Sequence, residues 1–388
     1  MRKLAILVIG FLGLLILGLF WRPCTIPAAA AGHGYGGLGA GYKVLSPVQN
    51  GNLSVFPVVA TTVHDTSGFL TLDEGLRSGD VIVTEAGAAQ GLLRDPRVRP
   101  MIQHSSGEVN RLVLINRSDK PLILLAGEIV TGGKQDRVIG KDRIVPAHSD
   151  PIDLSVFCVE PGRWVERTAT FGGLTTQMAQ PSVRAKAMGE KDQGQVWAAV
   201  RKSQAAAANA SPGVAGALHG TTSYATVMAN DEVKQRVDSV AKPIDQKMHD
   251  IIGQLRQRNA VGVVVAINSE LIWADVFAST ALLEKYWPKL IRSYAAEAFV
   301  IHPSAEKADA AEAQQFLDDM SGTHETVESE PGVFRHTEIA GSNFRAFELT
   351  SLVPKTGFDV HLAKMAENPL AAIGPKPMPP QPIHPYRD

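Results

Sequence analysis

Val261-Gly262-Val263-Val264-Val265-Ala266-Ile267 is followed by Asn268-Ser269 and then by Leu271-Ile272-Trp273. An unbroken apolar run of this length, rich in β-branched residues, reads as a buried strand; a strand with one wet face would alternate instead. Asn268-Ser269 turns the chain and the second run returns. Downstream, Ser279 or Thr280 can cap a helix with the apolar stripe Leu282, Leu283, Tyr286, Trp287, Leu290, Ile291, Tyr294 and Ala298, in which Pro288 predicts a break or a fresh N-terminus. Upstream, Val233, Val237, Val240, Ile244, Met248, Ile251 and Leu255 recur at three and four residues, an amphipathic helix with a kink expected at Pro243. An Ala-rich helix precedes it from Glu190 to Asn209 and stops at Ser211-Pro212-Gly213.

Further toward the N-terminus the pattern turns β-like. Leu53 to Val59 and Val81 to Thr84 are β-branched runs, and Thr71 to Leu76 between them reads as a short capped helical turn. Arg111 to Asn116, the turn Arg117 to Pro121 and Leu122 to Leu125 give strand, turn, strand. Ile152, Leu154, Val156 and Cys158 alternate with Asp153, Ser155 and Phe157, a half-buried strand with Cys158 on its apolar face. On the other side of the helices, Ala305 to Glu330 reads as surface helix and loop. Phe344 to Glu348 and Asp359 to Leu362 read as final strands. Strands cluster first and helices follow, which predicts an α+β fold: a β-rich N-terminal half, then helices and a mixed α/β C-terminal half, in one domain over residues 42–362.

The ends read differently. Arg2 and Lys3 precede the apolar run Leu4 to Phe20, prolines follow, and Ala28 to Ala31 offers a cleavage site, so residues 1–31 read as a secretory signal. The expected location is extracytoplasmic, periplasmic or secreted. The protein would touch the membrane only through this segment, and only if it stays uncleaved. Cleavage lowers the basic residues from 38 to 35 against 39 acidic, a net charge of −4, which argues against nucleic acid as a partner. It also leaves Cys158 as the one cysteine and no internal disulfide. With 45% hydrophobic residues the chain can build a core without one. Residues 32–41, GHGYGGLGAG, contain a G-x-G-x-x-G spacing but follow no strand and open no helix, so they read as a linker. Residues 363–388 hold seven of the 24 prolines and read as an extended tail.

Three polar constellations could carry chemistry. Glu128-Ile129-Val130-Thr131-Gly132-Gly133-Lys134-Gln135-Asp136-Arg137 is a glycine-bearing loop or hairpin with two cations that suit a phosphate or carboxylate, although the P-loop spacing fails. An ordinary turn with local ion pairs accounts for it as well. Cys158-Val159-Glu160-Pro161-Gly162-Arg163-Trp164 ends the alternating strand, with Arg163 for bidentate contacts and Trp164 for stacking; Cys158 reads as buried and structural. Asp275 follows the returning strand, and Lys289, Ser293, Tyr294 and Glu297 lie on the next helix, where a solvated face is expected. The histidines have no metal-ligand spacing: His324-Glu325 fails H-E-x-x-H because position 328 is Glu.

Taken in order, Leu125-Ala126-Gly127-Glu128, Gly132 to Arg137, Val145-Pro146, Cys158 to Trp164, Val261 to Val264, Ala274-Asp275-Val276-Phe277 and Trp287 to Tyr294 resemble a bacterial domain family named for its association with ADP-ribosylglycohydrolases and rhodanese-like phosphatases. The resemblance spans about Tyr42 to Leu362. It implies a small-molecule ligand, ADP-ribose-like, NAD-like or otherwise phosphorylated, with Lys134, Gln135, Asp136, Arg137, Arg163 and Trp164 binding it. Glu128, Glu160 and Asp275 are the candidates for acid–base work. The cofactor is unknown. The alternative is a non-catalytic ligand-binding or structural module of the cell envelope.

Overall fold

The computed structural model describes residues 41–85, 111–161, 168, 170–218, 221–255 and 259–367. Residues 1–40, read above as a signal and a linker, and residues 368–388 of the expected tail lie outside them, while residues 363–366 of that expected tail belong to the last strand. No helix among the described residues is long and apolar enough to cross a membrane.

The chain opens with β1 (Tyr42–Val44), β2 (Val48–Asn50), β3 (Leu53–Ala60) and β4 (Leu70–Thr71). Helix α1 (Leu72–Ser78) starts where the sequence signals it. The Thr71 hydroxyl accepts from the N–H of Glu74, and the Glu74 carboxylate accepts from the N–H of Thr71 at 2.9 Å. β5 (Val81–Glu85), β6 (Arg111–Asn116), β7 (Leu122–Leu124), β8 (Glu128–Gly132), β9 (Arg137–Ile139), β10 (Arg143–Val145), β11 (Ile152–Cys158) and β12 (Thr170–Met178) follow. Then come α2 (Pro181–Ala185), a π turn over Lys186–Glu190, α3 (Gln193–Ala210), α4 (Pro212–Leu218), α5 (Tyr224–Ala229) and α6 (Asp231–Leu255). The chain continues with β13 (Ala260–Ile267), β14 (Glu270–Phe277), α7 (Thr280–Phe299), α8 (Ala310–Asp318), β15 (Thr323–Glu330), β16 (Phe334–Ala340), β17 (Phe344–Ser351) and β18 (Asp359–Ala366).

These strands form the sheets of an α+β fold. Six close a barrel in the order β11-β6-β5-β12-β8-β9, with β9 returning to β11. Its inside is filled by Val83, Leu112, Leu114, Val130, Leu154, Val156 and their neighbours. In β11 the buried residues are Leu154, Val156 and Cys158, so the period-two reading gives the right face. A three-stranded sheet runs β10-β7-β4. β6 and β7 therefore join different sheets. Asn116, the last residue of β6, donates to the carbonyls of Lys120 and Pro146 and ties the turn that follows.

The third sheet has nine strands, β1-β3-β13-β14-β18-β17-β16-β15, with β2 also on β3. β13 is an interior strand, paired with β3 on one side and β14 on the other. Val263 and Val265 pack with α6 and α7 on one face, while Val264 and Ala266 pack with Ala313 and Leu317 of α8 on the other. That double coverage is why β13 has no polar position.

Two expectations change. Pro288 sits inside the continuous helix α7 and does not break it. The turns on both sides of it are anchored by buried Leu283, Tyr286, Trp287, Leu290, Ile291 and Tyr294, and this packing carries the helix past the missing hydrogen bond. Thr323–Glu330 is an edge strand where surface helix and loop were expected. Six of its eight residues are exposed and three are glutamates, Glu325, Glu328 and Glu330, which hides the strand pattern and also keeps an open edge from pairing with other chains.

One side chain makes this sheet pH-sensitive. Glu348 on β17 is nearly buried, and burial together with the Asp359 charge pushes its carboxyl up to about 7. The folded state thus favours the neutral acid. The contribution of Glu348 to stability is most favourable below the ordinary value of 4.5 and falls as the pH rises to about 7, by on the order of 3 kcal/mol. Glu348→Gln is expected to raise the melting temperature at pH 8 and to leave it nearly unchanged at pH 4 in parallel thermal melts; equal effects at both pH values would refute this.

Candidate functional site

The polar residues singled out in the barrel strands are held by the protein itself. β8 and β9 pair as a hairpin, and the glycines lie in its bend. Gly133 has φ 51°, and a Cβ there would fall 2.3 Å from the Phe171 ring, so only glycine lets the bend close onto it. Lys134 is exposed at the tip, with its backbone N–H on Glu85 Oε1 at 3.1 Å. Gln135, Asp136 and Arg137 turn inward. Asp136 accepts from the N–H of Gly132 at 3.2 Å and from the hydroxyl of Ser223, the N-cap of α5, at 2.7 Å. Arg137 Nη1 donates to the Gln135 carbonyl at 2.6 Å, and its Nη2 lies 3.7 Å from Glu85. Glu160 Oε2 accepts the N–H of Asp136 at 3.4 Å. The two segments meet as packed interior. Arg163 and Trp164 lie outside the described residues. Cys158 is buried, and burial pushes its thiol up to about 11, which leaves little thiolate at neutral pH.

Asp275 belongs to a different cluster. Arg184 of α2 grips it with Nη1 to Oδ2 at 2.9 Å and Nη2 to Oδ1 at 3.0 Å. The Tyr294 hydroxyl donates to Oδ2, and His361 Nε2 lies 3.1 Å from Oδ1. The other His361 nitrogen, Nδ1, lies 2.5 Å from Asp142 Oδ2, and Asp142 Oδ1 accepts the N–H of Ala126 at 2.7 Å. All five side chains are fully buried. Burial alone would lower the imidazole, but Asp142 and then Asp275 raise it to about 9. With a carboxylate on each nitrogen the ring donates twice and is an imidazolium. Burial alone would raise Asp275, yet Arg184 and His361 hold its carboxyl far below the usual range. Two cations face two anions, so the cluster is neutral as a whole. Arg184 also stacks 4.4 Å over Trp273 and passes so close to Gly127, φ 96°, that a Cβ there would fall 2.6 Å from Arg184 Cγ.

Glu128 faces a third group. Its Oε2 accepts the N–H of Leu125 at 2.8 Å, and its Oε1 lies 2.5 Å from Lys289 Nζ. Lys289 also donates to Asp73 of α1 at 2.8 Å. Burial pushes the Glu128 carboxyl up against the pull of Lys289. Burial would lower Lys289, but Glu128 and Asp73 hold it above its ordinary value and charged.

Lys289 forms part of the floor of a cleft of about 650 Å³ between α1, β12, α5, α6 and α7. Its walls carry five cations, Arg77, Lys234, Lys285, Lys289 and Arg292, against the two acids Asp73 and Glu74. Glu128 and Asp238 stand behind the wall, paired to Lys289 and Arg292, so the balance including them is one positive charge. Met178 and Met228 supply an apolar, adaptable side. Among the described residues no group of three or more His, Cys, Asp and Glu side chains is placed to hold a metal ion.

The face of α7 expected to be solvated is buried instead: Lys289, Ser293, Tyr294 and Glu297 all point into the protein. Each has a partner that burial requires. Ser293 donates to the Ala179 carbonyl at 2.6 Å, and Glu297 accepts the Ser182 N–H at 2.9 Å. Arg184, His361 and Asp142 were not singled out from the sequence, nor were the cleft cations apart from Lys289. The available signal was the cationic spacing Lys285, Lys289 and Arg292 along one helix face.

A family model described as the ARG and Rhodanese-Phosphatase-superfamily-associated Protein domain, ARPP-1, matches residues 41–364. No curated protein and no solved structure matches the chain.

The Asp275 cluster gives a direct test of its role. Asp275→Ala leaves the Arg184 guanidinium buried without its carboxylate, at an expected cost of about 3–5 kcal/mol in urea unfolding. A loss under about 1 kcal/mol would show that the cluster relaxes without that charge.

Proposed function

The chain belongs to the ARPP-1 domain family, and from that premise we propose that it binds a phosphorylated small molecule of the ADP-ribose or NAD type in the cleft between α1, α6 and α7. The observation that carries this reading is the five-cation lining of the cleft. Lys285, Lys289 and Arg292 stand in a row along α7, and Arg77 faces them from α1. Such an array suits the oxygens of a phosphate group, and the two methionines suit a planar or apolar remainder. The family's name, through its association with ADP-ribosylglycohydrolases and phosphatases, points to the same ligand class, and that support is associational. With residues 1–31 read as a secretory signal, the expected setting is extracytoplasmic, so the ligand is named by its phosphate chemistry rather than by a cytoplasmic pathway.

Binding is better supported than catalysis. Glu128 and Asp275 are fully buried and ion-paired to Lys289 and Arg184. Glu160 is buried against the backbone of Asp136. A general base must come within hydrogen-bond reach of a substrate, and none of the three lines the cleft.

Thermal melts with ADP-ribose, NAD, phosphosugars and neutral glycans test the proposal. A phosphorylated ligand at about 100 times its dissociation constant is expected to add roughly 2.7 kcal/mol of stability, and neutral glycans nothing. Arg77→Ala and Lys285→Ala are each expected to weaken binding about tenfold, the size of one lost charge-assisted hydrogen bond. No shift with any phosphorylated ligand would leave an envelope structural module as the better account.

A further inference from the structure

The floor of the cleft sets one ammonium between two carboxylates. Lys289 Nζ donates to Asp73 at 2.8 Å and to Glu128 at 2.5 Å. Glu128 is wholly buried, whereas Asp73 keeps 15% of its side-chain surface and lines the cleft. Groups beside this trio include Tyr286 of α7, whose ring centre lies 4.8 Å from Lys289 Nζ and whose hydroxyl donates to the Ile123 carbonyl, and the Leu125 N–H on the second oxygen of Glu128. Glu74 and Arg77 stand further along α1, and Lys285 is held by Glu74. Asp142 acts on Tyr286 from a greater distance.

Inside a protein, two carboxylates that share one cation resist being ionised together. Asp73 can be stabilised by water and by its place in the first turn of α1. Glu128 has neither. An anion arriving in the cleft draws on the same ammonium and adds a third negative charge within reach of it. We propose that an anionic ligand enters this cleft together with a proton, which Glu128 takes from solvent. With Glu128 neutral, the Lys289 charge is shared between Asp73 and the ligand. The one bond that forms is the O–H bond on Glu128. Lys289 keeps its own proton, since both of its carboxylate partners hold it charged.

This inference rests on the cleft being the anion site, and the test separates the two. ADP-ribose serves as probe because its diphosphate stays ionised throughout the neutral range; inorganic sulfate, which also gains no proton there, is the second probe. Calorimetric titrations in two buffers of different ionisation enthalpy are expected to show uptake of about one proton per bound ligand. On the alkaline side, affinity is expected to fall by up to about tenfold per pH unit. Glu128→Gln is expected to abolish the uptake, flatten the pH profile and bind more tightly than the native chain above neutral pH. Binding with no proton uptake in the native protein overturns the inference and leaves the cleft as an anion site. Uptake that persists in Glu128→Gln overturns the assignment to Glu128. No binding of either probe overturns the cleft reading and this inference with it. The native titrations alone can overturn the inference even where Glu128→Gln fails to fold.

Discussion

The ion cluster of Asp275, Arg184, His361 and Asp142 is the constraint on which the rest of the molecule depends. It draws one member each from β14, α2, β18 and the connection between β9 and β10, and Tyr294 adds α7. A charge without a partner in this position would cost several kcal/mol, so all five segments must arrive together or none is tolerated in place. The cluster thereby fixes the barrel against the nine-stranded sheet and seats α7 over both. The position of α7 in turn fixes Lys289 between Asp73 and Glu128, so the floor of the cleft is built from the same alignment.

Much of the fold was legible in the residues, for reasons that can be named. β13 is readable because both faces are covered and every position is apolar. β11 is readable because one face is covered and the pattern has period two. α1 is readable because its first turn carries the reciprocal Thr71–Glu74 cap. The misreadings also have causes. β15 has a strand's backbone and no strand-like side chains, since its place at the sheet edge rewards charge over apolar alternation. Pro288 carries a local veto on helix that tertiary packing overrules. Neither override is written in the residues nearby.

The site was legible in part. Glu128 stood out in a dense polar segment and Asp275 as an acid after the returning strand, and both are buried beside a cation. What those charges do is set by partners far along the chain. Arg184 is 91 residues from Asp275, Lys289 is 161 from Glu128, and His361 is 219 from Asp142. The face of α7 was misjudged for the same reason: Lys289, Ser293 and Glu297 look like a wet helix surface until Glu128, Ala179 and Ser182 are brought against them. Local spacing can show that a polar residue needs a partner, but only the fold supplies it.

The pairing of β3 with β13 has a consequence for assembly. Val58 lies beside Gly262 in the sheet, a separation of roughly 200 residues, and the loop-closure entropy of such a contact is lost before its stabilisation is gained. The barrel strands and their hairpins lie between these two points and can form from nearby partners first. β3 leaves the ribosome roughly 200 residues ahead of β13 and cannot take its place until β13 has followed. The apolar strand made earlier is therefore left waiting, and the speed at which this sheet becomes safe from aggregation is set by how soon β13 follows β3.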